Sequence, residues 1–323
     1  MSEARAFWVV APGRGEIRAQ RLRPLAPGEL LVRASASAIS RGTETLVFCG
    51  EVPQSEWQRM RCPFQEGEFP GPVKYGYAVA GIVEDGPAEF CGRRVFCLHP
   101  HQDRFVVPED AVVTIPDEVP QRRATLAANM ETAVNGLWDG MPGPGDRIAV
   151  VGAGVVGALV AALAARLPGA EVELIDIDPS RAALATAFGC RFAAPQQACG
   201  EADLVIHASG APGGLATAFA VAGFEATVVE MSWYGTRIVP LALGGAFHSR
   251  RLGLRSSQVG AVPAGRSTRW SRRRRLTLAL SLLRDPLFDL LLSGEADFAE
   301  LPELMPRLAL SSKGVLCHTV RYD

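Results

Sequence analysis

A chain of 323 residues exceeds one ordinary domain and calls for two, or for one large α/β unit. Apolar residues make up 48% and charged residues 21%, with 33 Lys+Arg against 34 Asp+Glu for a formal net charge of −1; this balance excludes a disordered chain, a collagen and a wholly basic nucleic-acid binder. The cations are 31 arginines and only two lysines, Lys74 and Lys313, a bias shared with the Ala/Gly-rich remainder of the chain.

The N-terminal stretch MSEARAFWVVAPGRGEIR has only a short apolar patch and does not read as a secretory signal. Seven cysteines, at 49, 62, 91, 97, 190, 199 and 317, form no C-x-x-C pair, so neither a disulfide framework nor a zinc ribbon is expected and a cytoplasmic, reducing compartment is. Through the first 120 or so residues, short alternating runs (Leu30–Ala34, Val79–Val83, Arg94–Leu98, Phe105–Val107, Val112–Ile115) broken by Pro and Gly have the rhythm of an all-β unit. The loop Glu51 to Pro72, with Trp57, Met60 and Phe64, is a place where specificity is decided.

Ile148 to Ala165 is 18 residues without a charge and imitates a membrane span. Its glycines point elsewhere. The β-branched run Ile148 to Val151 leads into Gly152-x-Gly154-x-x-Gly157, an alanine-rich helical stretch follows to Leu167, and a second apolar run, Val172 to Ile175, closes on Asp176, 24 residues beyond the first glycine. In this pattern the first glycine allows the sharp turn, the second lets a pyrophosphate approach bare backbone, and the third lets helix and strand pack closely. The phosphates then meet the free N–H groups of a helix N-terminus at Val155 and Val156. Asp176 accepts hydrogen bonds from both hydroxyls of an adenine ribose and repels a 2′-phosphate, which favours NAD over NADP. Arg181 belongs to the same wall.

The alternation continues with a strand from Ala202 to His207 that runs into Ser209-Gly210, a helix near 213–222, and a strand from Ala226 to Met231 ending at Ser232-Trp233. Such alternation makes a doubly wound parallel sheet, with Ser209, Gly210, Ser232 and Trp233 as walls for the second half of the cofactor. Nine arginines lie between Arg250 and Arg275 with no acid among them, either a solvated face or an attractor for a phosphorylated or carboxylated substrate. No nucleic-acid-binding motif accompanies them. An amphipathic stretch from about Arg272 to Leu283 and a terminal strand, Val315 to Val320, close the chain.

Pro27-Gly28-Glu29-Leu30-Leu31-Val32, Gly42-Thr43-Glu44, Ala80-Gly81-Ile82-Val83, Gly92-Arg93-Arg94-Val95 and Val106-Val107-Pro108, followed by the glycine triplet, make the chain resemble the medium-chain dehydrogenases/reductases over nearly its whole length. The resemblance implies an α/β protein with a GroES-like β-rich catalytic domain (1–123), a Rossmann NAD(P)-binding domain (124–262) and a C-terminal return to the catalytic domain (263–323). It implies a homodimer, with the strand near Thr236 to Leu243 as candidate edge, and no nucleic-acid or membrane partner.

The same resemblance removes the family's zinc. Arg41 (or, with a slip, Ser40) stands at the Cys position, Tyr77 at the His, Ala128 or a neighbour at the third ligand, and the clustered-cysteine loop is missing. Cys97-x-His99-x-His101 is a residual metal alternative. Without zinc the substrate oxygen needs a hydrogen-bond donor or acid. His99 is the first choice because histidine titrates near neutral pH, against a structural histidine in a Pro turn. Thr43 matches the hydroxyl that contacts alcohols, Tyr77 and Arg41 point into the same cavity, Lys74 is a further donor, and Thr132 resembles the threonine that touches the nicotinamide. The expectation is a zinc-independent NAD(P)(H)-dependent oxidoreductase interconverting an alcohol and a carbonyl, on a substrate that is anionic or bulky, the last because Ser-x-Gly-Thr-Glu also resembles bacteriochlorophyllide hydroxyethyl dehydrogenases. The alternatives are a quinone or enone reductase and a catalytically inactive NAD(H)-binding redox sensor.

Overall fold

The computed structural model describes residues 3–310 and 314–323. Two compact units result: one from the described residues up to Ala128 together with those from Leu280 onward, the other from Asn129–Ala279. The crossings expected near 123 and 262 therefore lie at 128/129 and 279/280. The later exit has a physical cause. Residues 263–279 are tied to their own unit by Trp270 against Trp138, ring centroids 4.8 Å apart, and by the buried Arg275, whose Nε donates to Glu131 at 3.0 Å.

In the discontinuous unit, Glu29–Ile39 is the central strand. Its alternating residues Leu30, Val32 and Ala34 are wholly buried, as a strand with one face on the core requires. It pairs antiparallel with Val79–Asp85, with Arg104–Pro108 and with Cys317–Arg321, and the last of these also pairs parallel with Leu292–Asp297. The C-terminal segment is thus stitched into the first sheet, as the expected return requires. Gly81 has room for no side chain, because a Cβ there would meet the Arg33 carbonyl oxygen at 2.4 Å. A second sheet is built on the hairpin Glu3–Ala11 and Arg14–Arg21, extended by Val73–Lys74 and Glu66–Gly67. Among the described residues the all-β rhythm is broken by one α-helix, Arg41–Phe48, which contains Gly42-Thr43-Glu44, and by short 3-10 turns at Gln54–Glu56 and Glu109–Ala111.

The continuous unit is a six-stranded sheet, parallel throughout, in the order Arg191–Ala193, Glu171–Ile175, Arg147–Val151, Ala202–His207, Ala222–Glu230, Gly253–Ser256. Numbered along the sheet's own chain this is 3-2-1-4-5-6, the doubly wound order in which ligands bind where the direction of winding reverses. The charge-free stretch resolves into the strand Arg147–Val151, a glycine turn and the helix Val155–Ala164. Among the described residues no helix is long and apolar enough to cross a membrane. Residues 236–243 do not form the expected edge strand. Pro240 withholds a ladder N–H, the segment is turn and irregular backbone, and the edge is Gly253–Ser256.

Candidate functional site

The strand Arg147–Val151 delivers the chain into its glycine turn, and the three glycines differ in what surrounds them. Gly152 has φ +106°, and a Cβ on it would lie 2.6 Å from the Ser209 backbone. A Cβ on Gly157 would meet the Gly152 carbonyl oxygen at 1.8 Å. A Cβ on Gly154 would meet nothing within 4 Å. The first and third glycines are thus required by the protein itself, whereas the second leaves open room in front of the helix Val155–Ala164. No side chain caps that helix, so the N–H groups of Val155, Val156 and Gly157 face the room.

Asp176, at the end of the next strand, accepts from the Ala153 N–H at 2.6 Å with one oxygen and from the Asp178 N–H at 2.8 Å with the other. Arg181 lies 3.5 Å from the Asp178 carboxylate with its side chain mostly covered. The acid is therefore fixed beside the turn with lone pairs left for a further donor. Thr132 is half-buried on the helix Ala127–Gly140 and has a partner within the protein.

The neighbouring strands end in a hydrogen-bonded group of five side chains, His207, Ser209, Glu230, Ser232 and Tyr234. His207 and Glu230 are register partners on Ala202–His207 and Ala222–Glu230. The His207 ring is fully buried, with Nδ1 2.7 Å from Glu230 Oε2 and Nε2 2.6 Å from the Ser209 hydroxyl. Glu230 also accepts from the Ser232 N–H at 2.7 Å and the Tyr234 hydroxyl at 3.1 Å, and the Gly210 N–H donates to Ser232 Oγ at 3.0 Å. Ser209, Gly210, Ser232 and Trp233 do stand at the carboxyl edge of the sheet, Ser209 exposed and Trp233 half-covered. Sequence reasoning took Ser209 and Ser232 as walls and missed His207 and Glu230, whose pairing only the strand register shows.

In the other unit, Thr43 and Tyr77 come together. The Ser40 and Thr43 hydroxyls face the Tyr77 phenol, and burial with the nearby Glu44 raises that phenol above its usual range, so it stays protonated. Arg41 opens the helix Arg41–Phe48, half-buried and partnered within the protein. Glu44 is buried below: one carboxylate oxygen accepts from the Ser40 N–H at 2.7 Å, and the other lies 2.9 Å from His101 Nε2. His101 Nδ1 is 2.7 Å from Ser37 Oγ, which is 2.9 Å from the Tyr322 hydroxyl. In the sequence Glu44 stands out only as the last residue of Gly42-Thr43-Glu44. A carboxylate on the inner face of a helix is a signal that a buried partner must exist, although nothing local says it is His101, 57 residues away.

His99 keeps different company. Its Nδ1 lies 2.9 Å from the Pro100 carbonyl, and its ring stacks on Phe105 (centroids 3.9 Å) and on Phe64 (5.4 Å). Burial pushes it down to about 3, which corrects the expectation of a group titrating near neutral pH. Together with Lys74 it lines a cavity of about 250 Å³. Lys74 is buried rather than solvated; its ammonium donates to Gln102 Oε1 at 2.7 Å, to Gln20 Oε1 at 3.2 Å and to the Glu66 carboxylate, and burial lowers its pKa.

The Cys97-x-His99-x-His101 alternative fails on geometry, since the three side chains do not converge. The Cys97 thiol points to the Ala111 carbonyl and both His101 nitrogens are engaged. Among the described residues no group of three His, Cys, Asp or Glu side chains is placed to hold a metal ion. Nor are the nine arginines one open face. Arg251 pairs with Glu225 at 2.7 Å, Arg250 donates to the Ala222 carbonyl, Arg255 lies 3.7 Å from Asp139, Arg266 and Arg274 lie over Trp138 and Trp270, and Arg275 is 1% exposed. The acids absent from the run come from other segments.

No protein-family model and no curated protein sequence matches the chain. Solved structures match over its full length. L-idonate 5-dehydrogenase of Escherichia coli K-12 is 16% identical with a TM-score of 0.81, over 99% of this chain and 98% of that one. A short chain alcohol dehydrogenase of E. coli CFT073, complexed with the cofactor NADH, is 16% identical (TM-score 0.78, 99% and 100% covered). Alcohol dehydrogenase TADH of Thermus sp. ATN1 is 19% identical (TM-score 0.74, 99% and 100%). At these identities the likeness is one of fold, and the fold expected from the resemblance is the fold observed.

Proposed function

We propose that this chain is an NAD(H)-dependent oxidoreductase that interconverts an alcohol and a carbonyl by hydride transfer without zinc. The observation that carries the nucleotide is the empty room at Gly154, a cradle that any side chain would fill and that no contact within the protein requires. Gly152, Gly157, Val155 and Val156 would hold the pyrophosphate, Asp176 with Arg181 the adenine ribose, and Ser209, Gly210, Ser232, Trp233 and Thr132 the nicotinamide half. Full-length likeness to dehydrogenases, one complexed with NADH and another bound to NADP, supports a nicotinamide dinucleotide. When bound, the nicotinamide supplies or accepts the hydride.

The protein's own share is to hold and protonate the substrate oxygen. Tyr77, kept protonated by burial, and the adjoining Thr43 hydroxyl are neutral donors for that oxygen, and a guanidinium such as that of Arg41, two residues before Thr43 in the chain, suits an anionic or carbonyl-rich substrate. The residues that the resemblance puts at the ligand positions, Arg41 or Ser40, Tyr77, and Ala128 or a neighbour, do not fit zinc: a guanidinium or hydroxyl, a protonated phenol and a methyl group offer no tetrahedral set. Pairing of two copies along the exposed edge strand Gly253–Ser256 and residence in a reducing cytoplasm, consistent with seven unbridged cysteines, complete the proposal. Gly154→Val tests it. The backbone there, at φ −71°, accepts valine and nothing in the protein obstructs it, so thermal stability should be unchanged while calorimetric titration shows NADH binding abolished. Undiminished binding would refute the reading.

A further inference from the structure

At the carboxyl edge of the continuous unit's sheet, Ser209, His207 and Glu230 are joined in the order hydroxyl, imidazole, carboxylate. The Glu230 carboxylate only accepts, so His207 donates from Nδ1 at 2.7 Å and its Nε2 is left to accept the Ser209 proton at 2.6 Å. The base is itself oriented: the Ser232 N–H at 2.7 Å and the Tyr234 hydroxyl at 3.1 Å hold the carboxylate, and the ring is fully enclosed. Only the serine is exposed. This is the constellation of a nucleophile with its general base and an orienting acid, recognised by roles and distances rather than by chain order. The helix beside it, Pro212–Val221, is shaped for the contact, since a Cβ on Gly214 would lie 2.1 Å from Ser209 Oγ and 2.8 Å from His207 Nε2.

We propose that Ser209 is an activated nucleophile that accepts acyl groups from activated esters of short carboxylic acids, an activity separate from hydride transfer. Ser209 Oγ bonds to the acyl carbon while its proton passes to His207 Nε2. The ester's carbon–oxygen bond breaks and the leaving alkoxide takes the proton from His207. Water, deprotonated by the same nitrogen, later releases the carboxylic acid and restores the serine. No oxidant or metal enters the balance. The Gly210 N–H, the donor that follows the nucleophile, is held by Ser232 Oγ rather than aimed at a developing oxyanion, and losing one such donor costs about 10²–10³ in rate. Both acylation and release pass through such an oxyanion, but the phenolate of an activated ester leaves far more readily than Ser209 Oγ, so acylation should outrun release and the acyl-enzyme should accumulate.

The test is incubation of the full-length protein, free of nucleotide, with p-nitrophenyl acetate, following p-nitrophenolate release and locating the acetyl group by peptide mass spectrometry. The expected result is a burst of about one equivalent per chain with the acetyl on Ser209, reduced about 10²-fold or more in Ser209→Ala. Gly214→Ala keeps all three groups and favours the helix, yet its methyl wedges the hydroxyl away from the imidazole, so it too should lose the burst with the fold intact. A burst undiminished in Ser209→Ala, acetylation elsewhere, or no acetylation in wild type would each overturn the proposal. Because the assay contains no nucleotide, its result is independent of the oxidoreductase reading.

Discussion

Each unit contains a serine, a histidine and a glutamate joined by hydrogen bonds, and the two groups differ in which is sealed. In the discontinuous unit Ser37 is fully buried, its hydroxyl lies between His101 and Tyr322, and Glu44 is 4% exposed. At the edge of the parallel sheet the serine faces outward and only the imidazole is enclosed. Identical chemistry is thus structural in one place and available in the other, because burial fixes whether a ligand can reach the hydroxyl. The geometry also runs in opposite senses. His101 meets its carboxylate with Nε2 and its serine with Nδ1, whereas His207 does the reverse.

That contrast breaks first at the acids. Removing either acid strands a buried imidazole, but the gap left by Glu44 is sealed whereas that left by Glu230 is partly open to water, so Glu44→Ala should lower unfolding free energy by about 3–5 kcal/mol in urea titrations and Glu230→Ala should cost less. At the serines, Ser37→Ala leaves both His101 and Tyr322 short of a partner and should cost about 2–3 kcal/mol.

A third histidine, with no acid beside it, sharpens the comparison from another side. His99 is pushed down from 6.5 to about 3 by burial, so the unfolded chain takes up its proton at a pH where the folded protein does not. Its contribution to stability is full above about pH 6.5 and is lost as pH falls towards 3, about 2 kcal/mol by pH 5. His99→Gln should flatten the fall in stability between pH 7 and pH 5 by that amount. The smallest effect belongs to the open site: Ser209→Ala leaves one group, His207 Nε2, short of a partner where Ser37→Ala leaves two, and should cost about 1 kcal/mol; a loss as large as that of Ser37→Ala would erase the distinction between the two groups.

What the sequence disclosed was whatever its chemistry keeps local. The glycine turn, the helix after it and Asp176 fall within one strand-helix-strand unit, and they were legible because the spacing of the three glycines and the acid is set within that unit. Ser37 and Tyr322 are separated by 285 positions and Arg275 and Glu131 by 144, so no spacing rule could pair them. The run of arginines left two readings open for the same reason, since the acids that pair with Arg251 and Arg255 lie in other segments. The edge strand was misplaced because Ile238 and Val239 carry β-propensity while Pro240 and the glycines at 244 and 245 prevent a ladder. Thr43 and Tyr77 were placed by resemblance and do meet; His99 was chosen for a titration that its burial removes.

The most direct measurement is a fluorescence titration of the protein with NADH and NADPH, in wild type and in Asp176→Ala. The account predicts that wild type binds NADH the more tightly. It also predicts that the variant, deprived of its ribose acceptor, loses about tenfold or more towards NADH, equivalent to about 1.4 kcal/mol, and narrows or inverts the preference. Binding of neither nucleotide by wild type, or equal binding that Asp176→Ala leaves untouched, would contradict it.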